Sequence, residues 1–423
     1  MPFRHGDALR ASARRHAAST AGLLAVCLVA AGCSSKAADH SATPQQDGSQ
    51  AAAGSSSSAS PSGSASPAAG GPSAATVSFN LRHRGVKVDK VVKLTAQHGT
   101  FDSVAVRAGG KTLAGSLSAD KSTWTASERL EPGTRYRIRT VAVDSNGVKA
   151  VKHSSFRTES LTLHQQTFPS FAPVQGQTVG VGMPVIVRFD VPVTDKASIE
   201  RHLTVTNTSN QQGAWHWMSD SEVHWRPATY WKPGTDVTVK ADVNSIPAGN
   251  GVYGQLNRTS TFHVGRSMVS KVNAKTHIMK TFINGKLART TPITTGKAGF
   301  TTRSGTKVII EKFRHKEMNS ETVGIAVNSA NGYDIGDVQY AMRVTYSGEF
   351  LHAAPWSVAS QGHANVSHGC TGMSTANAAW IYDRSKPGDV VQYTGTDRHM
   401  TLDNGYGDWN ESFAQWKKGS ALS

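Results

Sequence analysis

The sequence predicts a mostly β protein of three successive domains with one short helix, carried behind an export segment and a tether. Three observations predict it. Short β-branched, partly alternating runs such as Val91-Val92-Lys93-Leu94-Thr95 and residues 136–143 end in turns such as Asp144-Ser145-Asn146-Gly147. Pro132-Gly133-Thr134 precedes the strand at Tyr136, and Pro233-Gly234-Thr235 precedes the strand at Val237. These two turns lie about a hundred residues apart, the length of one immunoglobulin-like sandwich. From about residue 267 new strands surround a strong Asn284-Gly285 hairpin turn.

The first 32 residues have the pattern of a signal peptide. Arg4, Arg10, Arg14 and Arg15 form a basic start, and the apolar run 21–31 is too short to span a bilayer permanently. The run ends in Ala30-Ala31-Gly32-Cys33, small residues before a cysteine that resemble a lipoprotein processing site, so Cys33 is expected to carry lipid. A plain secretory peptide is the alternative. Residues 33–75 are Ala, Ser, Gly and Pro, as in Gly54-Ser55-Ser56-Ser57-Ser58, and cannot bury enough surface to offset their conformational entropy. A flexible tether of that length reaches about 35 Å root-mean-square. The first 32 residues hold four Arg and one Asp, so +3 of the formal +16 leaves with them and +13 remains. Such a charge outside the membrane suits anionic lipid, wall polymers or acidic peptides, or simply a solvated basic surface. No nucleic-acid module is present.

The two sandwiches are expected at 76–160 and 161–265. Leu130, Pro132, Gly133 and Tyr136 match a tyrosine corner, in which a tyrosine hydroxyl ties a loop to the sandwich. Trp215, Trp217, Trp225, Tyr230 and Trp231 form a dense aromatic group: a carbohydrate platform, or, as we favour, core and contact with the next domain. Neither sandwich carries a catalytic constellation. In the third domain, expected at 266–395, strands are read at 276–283, 286–293, 306–310, 323–327, 340–346 and 390–393. Ser374 caps a helix over 375–384, and Pro387-Gly388 ends it.

Three cysteines are present, and the expected processing leaves Cys370 as the sole free thiol, in Ser367-His368-Gly369-Cys370. An unpaired thiol in an oxidising compartment needs a reason. A nucleophile is one, with His352 or His368 as base and backbone amides around Gly369 and Cys370 holding the oxyanion. Antiparallel strands are expected to bring His352 to the thiol, and the nearby helix N-terminus to lower the thiol pKa. Two other readings stay open at this point: a buried structural thiol, and a zinc site with His352, His363 and His368, whose spacing fits no standard pattern.

With these residues in place, the stretch 267–395 resembles an L,D-transpeptidase catalytic domain of the YkuD type. The carriers are His352, the Ser367-His368-Gly369-Cys370 run, Ile293-Thr294-Thr295-Gly296-Lys297 with Gly305-Thr306, and the segment 346–357. That segment, the tail around Gly407-Asp408-Trp409-Asn410 with Trp416, and two Ig-like modules behind a lipid site resemble the mycobacterial and actinobacterial lipoprotein branch. The resemblance implies a cysteine acyltransferase that forms 3→3 cross-links between peptidoglycan stem peptides and releases D-alanine. It implies Cys370 as nucleophile, His352 as general acid/base held by the Ala353 carbonyl, and His368 with Gly369 around the oxyanion. Tyr333, Met318, Ser347 and Gly348 fall at substrate-binding positions, and carbapenems are implied inhibitors. Its place would be the outer face of the cell membrane, held through the Cys33 lipid and acting in the wall.

Two departures stand out. Gly372 occupies a position where relatives carry Asn or Arg, so a substrate contact is missing or supplied elsewhere. The stretch 247–251 lacks the acidic side chains with which some relatives bind calcium; no metal and no cofactor are expected. Residues 396–423 are expected to pack on the catalytic domain. L,D-carboxypeptidase activity, protein-to-wall attachment, and a non-catalytic wall-binding lipoprotein are the alternatives.

Overall fold

The computed structural model describes residues 73–423. The signal segment, Cys33 and nearly all of the 33–75 stretch lie outside the described residues. Two four-stranded sheets face each other in the first sandwich. One runs Thr76–Phe79, Lys93–Gln97, Thr123–Ala126, Gly115–Leu117; the other runs Lys111–Thr112, Gly99–Ala108, Arg135–Asp144, Lys149–Arg157. Strand Arg135–Asp144 shows why the sequence makes a sheet here. Tyr136, Ile138 and Thr140 are buried while Arg135, Arg137 and Arg139 are exposed, the two-residue period of a half-buried strand. Tyr136 completes its corner, its hydroxyl accepting from the Glu131 amide at 2.8 Å.

In the second sandwich, Pro169–Ala172, Val185–Phe189, Glu222–Pro227 and Gly213–Trp217 face Thr178–Val179, Arg258–Val264, Asp236–Ala241 and Leu203–Asn207. Its tryptophans are core rather than a carbohydrate platform. Trp215, Trp217, Trp225 and Trp231 are buried, and the Trp231 indole donates to the Met183 carbonyl at 2.7 Å. Tyr230 makes the contact with the third domain and the C-terminal residues. Its ring is edge-on to Trp409, and its hydroxyl accepts from Gln392 at 3.1 Å.

The third domain has a five-stranded sheet, Lys286–Pro292, Ile278–Ile283, Met268–Asn273, Val390–Thr394, Gly305–Val308, and a four-stranded sheet, Glu311–Asn319, Asp334–Arg343, Phe350–Ala353, Thr371–Met373. Helix Thr375–Arg384 packs beside the second, with Ser374 Oγ accepting from the Asn377 amide. The strand expected at 323–327 does not form. Asn319 accepts from the Glu321 amide at 2.9 Å and starts a single 3₁₀ turn, Ser320–Val323, that Gly324 closes. The strand expected at 340–346 instead runs Asp334–Arg343. Its partner Glu311–Asn319 has only Phe313 and Met318 as apolar residues and so shows no hydrophobic alternation, because an edge strand can be largely charged.

Val308 and Val390 of the third domain share one buried cluster with Val181, Trp225 and Trp231 of the second sandwich, so these two units are mounted on a common core. The C-terminal residues do not rest on the catalytic domain alone. Asn410 exchanges two 2.7 Å bonds with the Thr306 backbone there. Most anchors, however, reach the second sandwich. Trp409 donates to the Gly182 carbonyl at 2.7 Å and Trp416 to the Ala214 carbonyl at 2.9 Å. The Arg226 guanidinium lies over both indoles, at 4.9 and 4.7 Å. The reason is size and chemistry: two indoles need apolar area and a carbonyl each, and the second sandwich offers both.

Fully buried His224 belongs to this contact, 2.8 Å from Asp408 and 2.7 Å from Glu222. Burial opposes its charge, but the two carboxylates outweigh burial and raise its pKa to about 9. The folded value lies above the ordinary 6.5, so this contribution is complete below about pH 6.5 and is lost as pH rises through about 9, up to about 3 kcal/mol in all. The expected result is a melting temperature that falls between pH 6.5 and 9.5 in the wild type. In His224→Gln the curve is lower and flatter; equal slopes would refute the assignment.

Candidate active site

His352 sits within strand Phe350–Ala353, whose neighbour Thr371–Met373 runs parallel rather than antiparallel, with His352 opposite Gly372. The parallel course follows from the crossover between them, which includes the turn Pro355–Ser360. Cys370 immediately precedes the second strand, two residues before Gly372. By the two-residue period of the strand it falls on the same sheet face as His352.

The His352 ring is buried, and its Nδ1 meets the Ala353 carbonyl at 2.8 Å. A carbonyl only accepts, so Nδ1 carries the hydrogen and Nε2 is the bare nitrogen of the neutral ring. Burial, opposed by that carbonyl, lowers the His352 pKa, so the ring is neutral at neutral pH. Trp356 stacks beside it at 6.0 Å while remaining more than half exposed, at 56%. In the sequence Trp356 stands four residues after His352, inside the 346–357 segment that carries the resemblance, with no role of its own.

The Cys370 thiol donates to the Gly348 carbonyl at 3.6 Å. Burial pushes its pKa up to about 12, over the opposing backbone bond at Phe350 and the charges of Lys307 and Arg343. The expected lowering by a helix N-terminus does not occur, because strand Thr371–Met373 stands between the thiol and the Ser374 cap. Cys370 and His352 thus rest as a neutral thiol and a neutral imidazole.

The loop before the thiol is clamped from both sides. Ser367 Oγ donates to the Cys370 carbonyl at 2.6 Å and accepts from the Gly369 amide at 3.1 Å. Thr302 Oγ1 donates to the Gly369 carbonyl at 2.7 Å. Gly369 has φ +124°, which only glycine adopts without strain. The 293–297 segment holds this loop through bridges Thr294↔Gly372 and Gly296↔Ser367. His368 lies between Phe300 and Tyr333, at 4.7 and 5.2 Å, and its Nε2 is buried without a partner. Burial, helped by Lys297, lowers its pKa.

The structure therefore gathers Cys370, His352, His368, Gly369, Tyr333, Gly348 and Gly372 around one point. Ser347 is adjacent and held by Asn404, with two bonds of 2.9 Å. Met318, half-buried opposite Ile335, lies at the base of the 320–323 turn, and the residues reaching the thiol side of the loop are Tyr333 and Val323. At Gly372 a Cβ would stand 2.9 Å from Ala354 Cβ and 3.0 Å from Thr294 Cγ2. The missing side chain is thus matched by its neighbours, which close on the space a larger residue would need.

One cluster was not foreseen. Glu349, between Gly348 and the Phe350 strand, is buried and accepts from Arg303 Nη1 at 3.0 Å, from the Arg303 amide at 3.1 Å, and from the Lys307 ammonium. Lys307 is fully buried and lies 3.8 Å from the centre of the Tyr393 ring, whose hydroxyl bonds Thr371 at 2.8 Å. Burial lowers the Lys307 pKa to about 8 against the pull of Glu349. Among the described residues no group of three or more His, Cys, Asp or Glu is placed to hold a metal.

A bacterial Ig domain model matches residues 83–247, across both sandwiches, and an L,D-transpeptidase catalytic domain model (YkuD) matches 267–392. L,D-transpeptidase 2 of Mycobacterium tuberculosis is 37% identical over 339 residues, 80% of this chain and 82% of the relative. L,D-transpeptidase 5 of Mycobacterium tuberculosis is 32% identical over 362 residues, 83% and 78% of the two chains. A solved LD transpeptidase in complex with imipenem is 37% identical, covering 53% of this chain and 97% of its own, with a TM-score of 0.47. The chain belongs to the L,D-transpeptidase family.

Proposed function

We propose that the protein cross-links peptidoglycan stem peptides 3→3 through an acyl-enzyme on Cys370. The observation that carries this reading is the neutral His352, its tautomer set by the 2.8 Å Ala353 bond, on the same sheet face as the one free thiol of the described residues. A thiol with a pKa near 12 is not a preformed nucleophile, so the attack needs a base at the moment of reaction. Cys370 Sγ bonds to the carbonyl carbon of the third stem residue as its proton passes to His352 Nε2. The Gly369 amide is already given to Ser367, so the Cys370 amide is the loop donor for the oxyanion. Collapse breaks the bond to D-alanine, whose nitrogen takes the proton from His352. The side-chain amine of a second stem then attacks the thioester, His352 takes its proton, and the thiolate leaves and is reprotonated. Tyr333, Met318, Ser347 and Gly348 would line the stem, and His368 Nε2 would find its missing partner there.

The export segment and Cys33 support a lipid-anchored protein outside the membrane, with the tether letting the catalytic domain work in the wall. Purified protein with a disaccharide tetrapeptide is expected to release D-alanine and yield 3→3 dimers, and a carbapenem to add one adduct by intact mass. Release without dimers would make water the acceptor and the enzyme a carboxypeptidase. The absence of both D-alanine release and a carbapenem adduct would overturn the proposal.

A further inference from the structure

The first sandwich carries a concentration of charge that the transpeptidase chemistry does not use. Residues 73–160 hold 15 Lys and Arg against 7 Asp and Glu, so +8 of the chain's formal +16 lies in this stretch. Five arginines converge on one exposed sheet face. Arg135, Arg137 and Arg139 alternate outward along a single strand; Arg107 is the register partner of Arg137, and Arg157 that of Arg135. His153 stands opposite Arg139. All five arginines are exposed, and among the described residues none of them has a carboxylate partner. Like charges directly opposite one another on a sheet repel. At the far end of the same sheet, by contrast, Lys149 is paired with Asp102.

We propose that this face binds a linear phosphodiester polymer of the cell envelope and holds the enzyme along it. Guanidinium groups take phosphate oxygens in a bidentate fork. The three arginines of Arg135–Asp144 recur every two residues, about 6.6 Å, close to the phosphate repeat of an extended glycerol-phosphate chain. Arg107 and Arg157 flank that track on either side. A polymer suits the face better than a membrane does. Surfaces that lie on bilayers present Trp, Phe or Leu beside their cations, and here the exposed large apolar residue in the outward row of the edge strand is Val151 alone.

The test is binding of poly(glycerol phosphate), and separately of phosphatidylglycerol–phosphatidylcholine vesicles, to the full chain at low salt. Arg135→Thr/Arg137→Thr/Arg139→Thr is compared with Lys232→Thr/Lys240→Thr/Lys275→Thr, which removes equal charge from exposed positions elsewhere. The arginine variant is expected to lose polymer affinity by at least about tenfold with a shallower salt dependence, and the lysine variant to change by about twofold or less. Arg107→Thr and Arg157→Thr singly, on the flanking strands, are expected to give smaller losses and serve should the triple variant fold poorly. Equal losses in the two triple variants, unchanged polymer binding, or vesicles bound through these arginines with no polymer bound would each overturn the proposal.

Discussion

Cys370→Ala is expected to abolish acyl-enzyme formation and reduce turnover by on the order of 10⁴-fold or more, since Cys370 is the one free thiol among the described residues. The fold should survive. The residue is half-buried, its thiol makes only weak bonds to the Gly348 carbonyl and the Phe350 backbone, and truncation leaves only a small void. A circular dichroism melt matching the wild type, together with loss of both the carbapenem adduct and D-alanine release, is the expected result; retained activity would refute the nucleophile. The wild-type pH behaviour adds a second check. With His352 held below the ordinary 6.5 and Cys370 raised to about 12, acylation should rise through one ionisation on the acid side of 6.5 and stay level across neutrality. Alkylation of Cys370 by iodoacetamide depends on thiolate alone, so it should be slow at pH 7 and still accelerate at pH 10. A plateau already reached at pH 7 would mean a preformed thiolate, and the resting neutral pair would be wrong.

Glu349→Leu is expected to be the most destabilising change near the site, by about 3–5 kcal/mol, because it strands the ammonium of fully buried Lys307 without its carboxylate. Arg303 would lose two bonds with it. The companion double variant Glu349→Leu/Lys307→Met removes both charges and should recover most of the loss, since apolar replacements of a buried pair are often neutral. Denaturant melts of the single and double variants measure this directly; a double variant as unstable as the single would show that the pair is not the cause. Activity should fall with stability. Glu349 adjoins Gly348, whose carbonyl accepts the hydrogen bond of the resting thiol, and Tyr393, beneath Lys307, bonds Thr371 next to the nucleophile. The cluster is the floor on which the Cys370 loop rests.

How much of the molecule was readable in the chain depends on how local the controlling physics is. Helix Thr375–Arg384 with its Ser374 cap, the Asn284-Gly285 hairpin, and the Tyr136 corner depend on a few neighbouring residues and were legible. The strand expected at 323–327 failed because Asn319 and Gly324 favour a turn once the flanking strands bring the ends together. The Glu311–Asn319 strand was missed because its edge position removes the need for an apolar face. The direction of the thiol pKa is not legible in the chain, because sequence distance to a helix does not say what lies between.

Residue identity and spacing alone determined the family motif, with its Cys370, its His352 and its glycine before the thiol. They also set the β-rich order of domains and the basic balance of the chain. The tertiary structure alone decided the rest. The parallel register put His352 opposite Gly372; burial set the neutral thiol and imidazole; and Lys307, Glu349 and Arg303 met under the active loop. It also gathered five arginines onto one sheet face. The reason is that a motif's residues are close along the chain, whereas burial, register and charge pairing are set by segments that fold against them from far away.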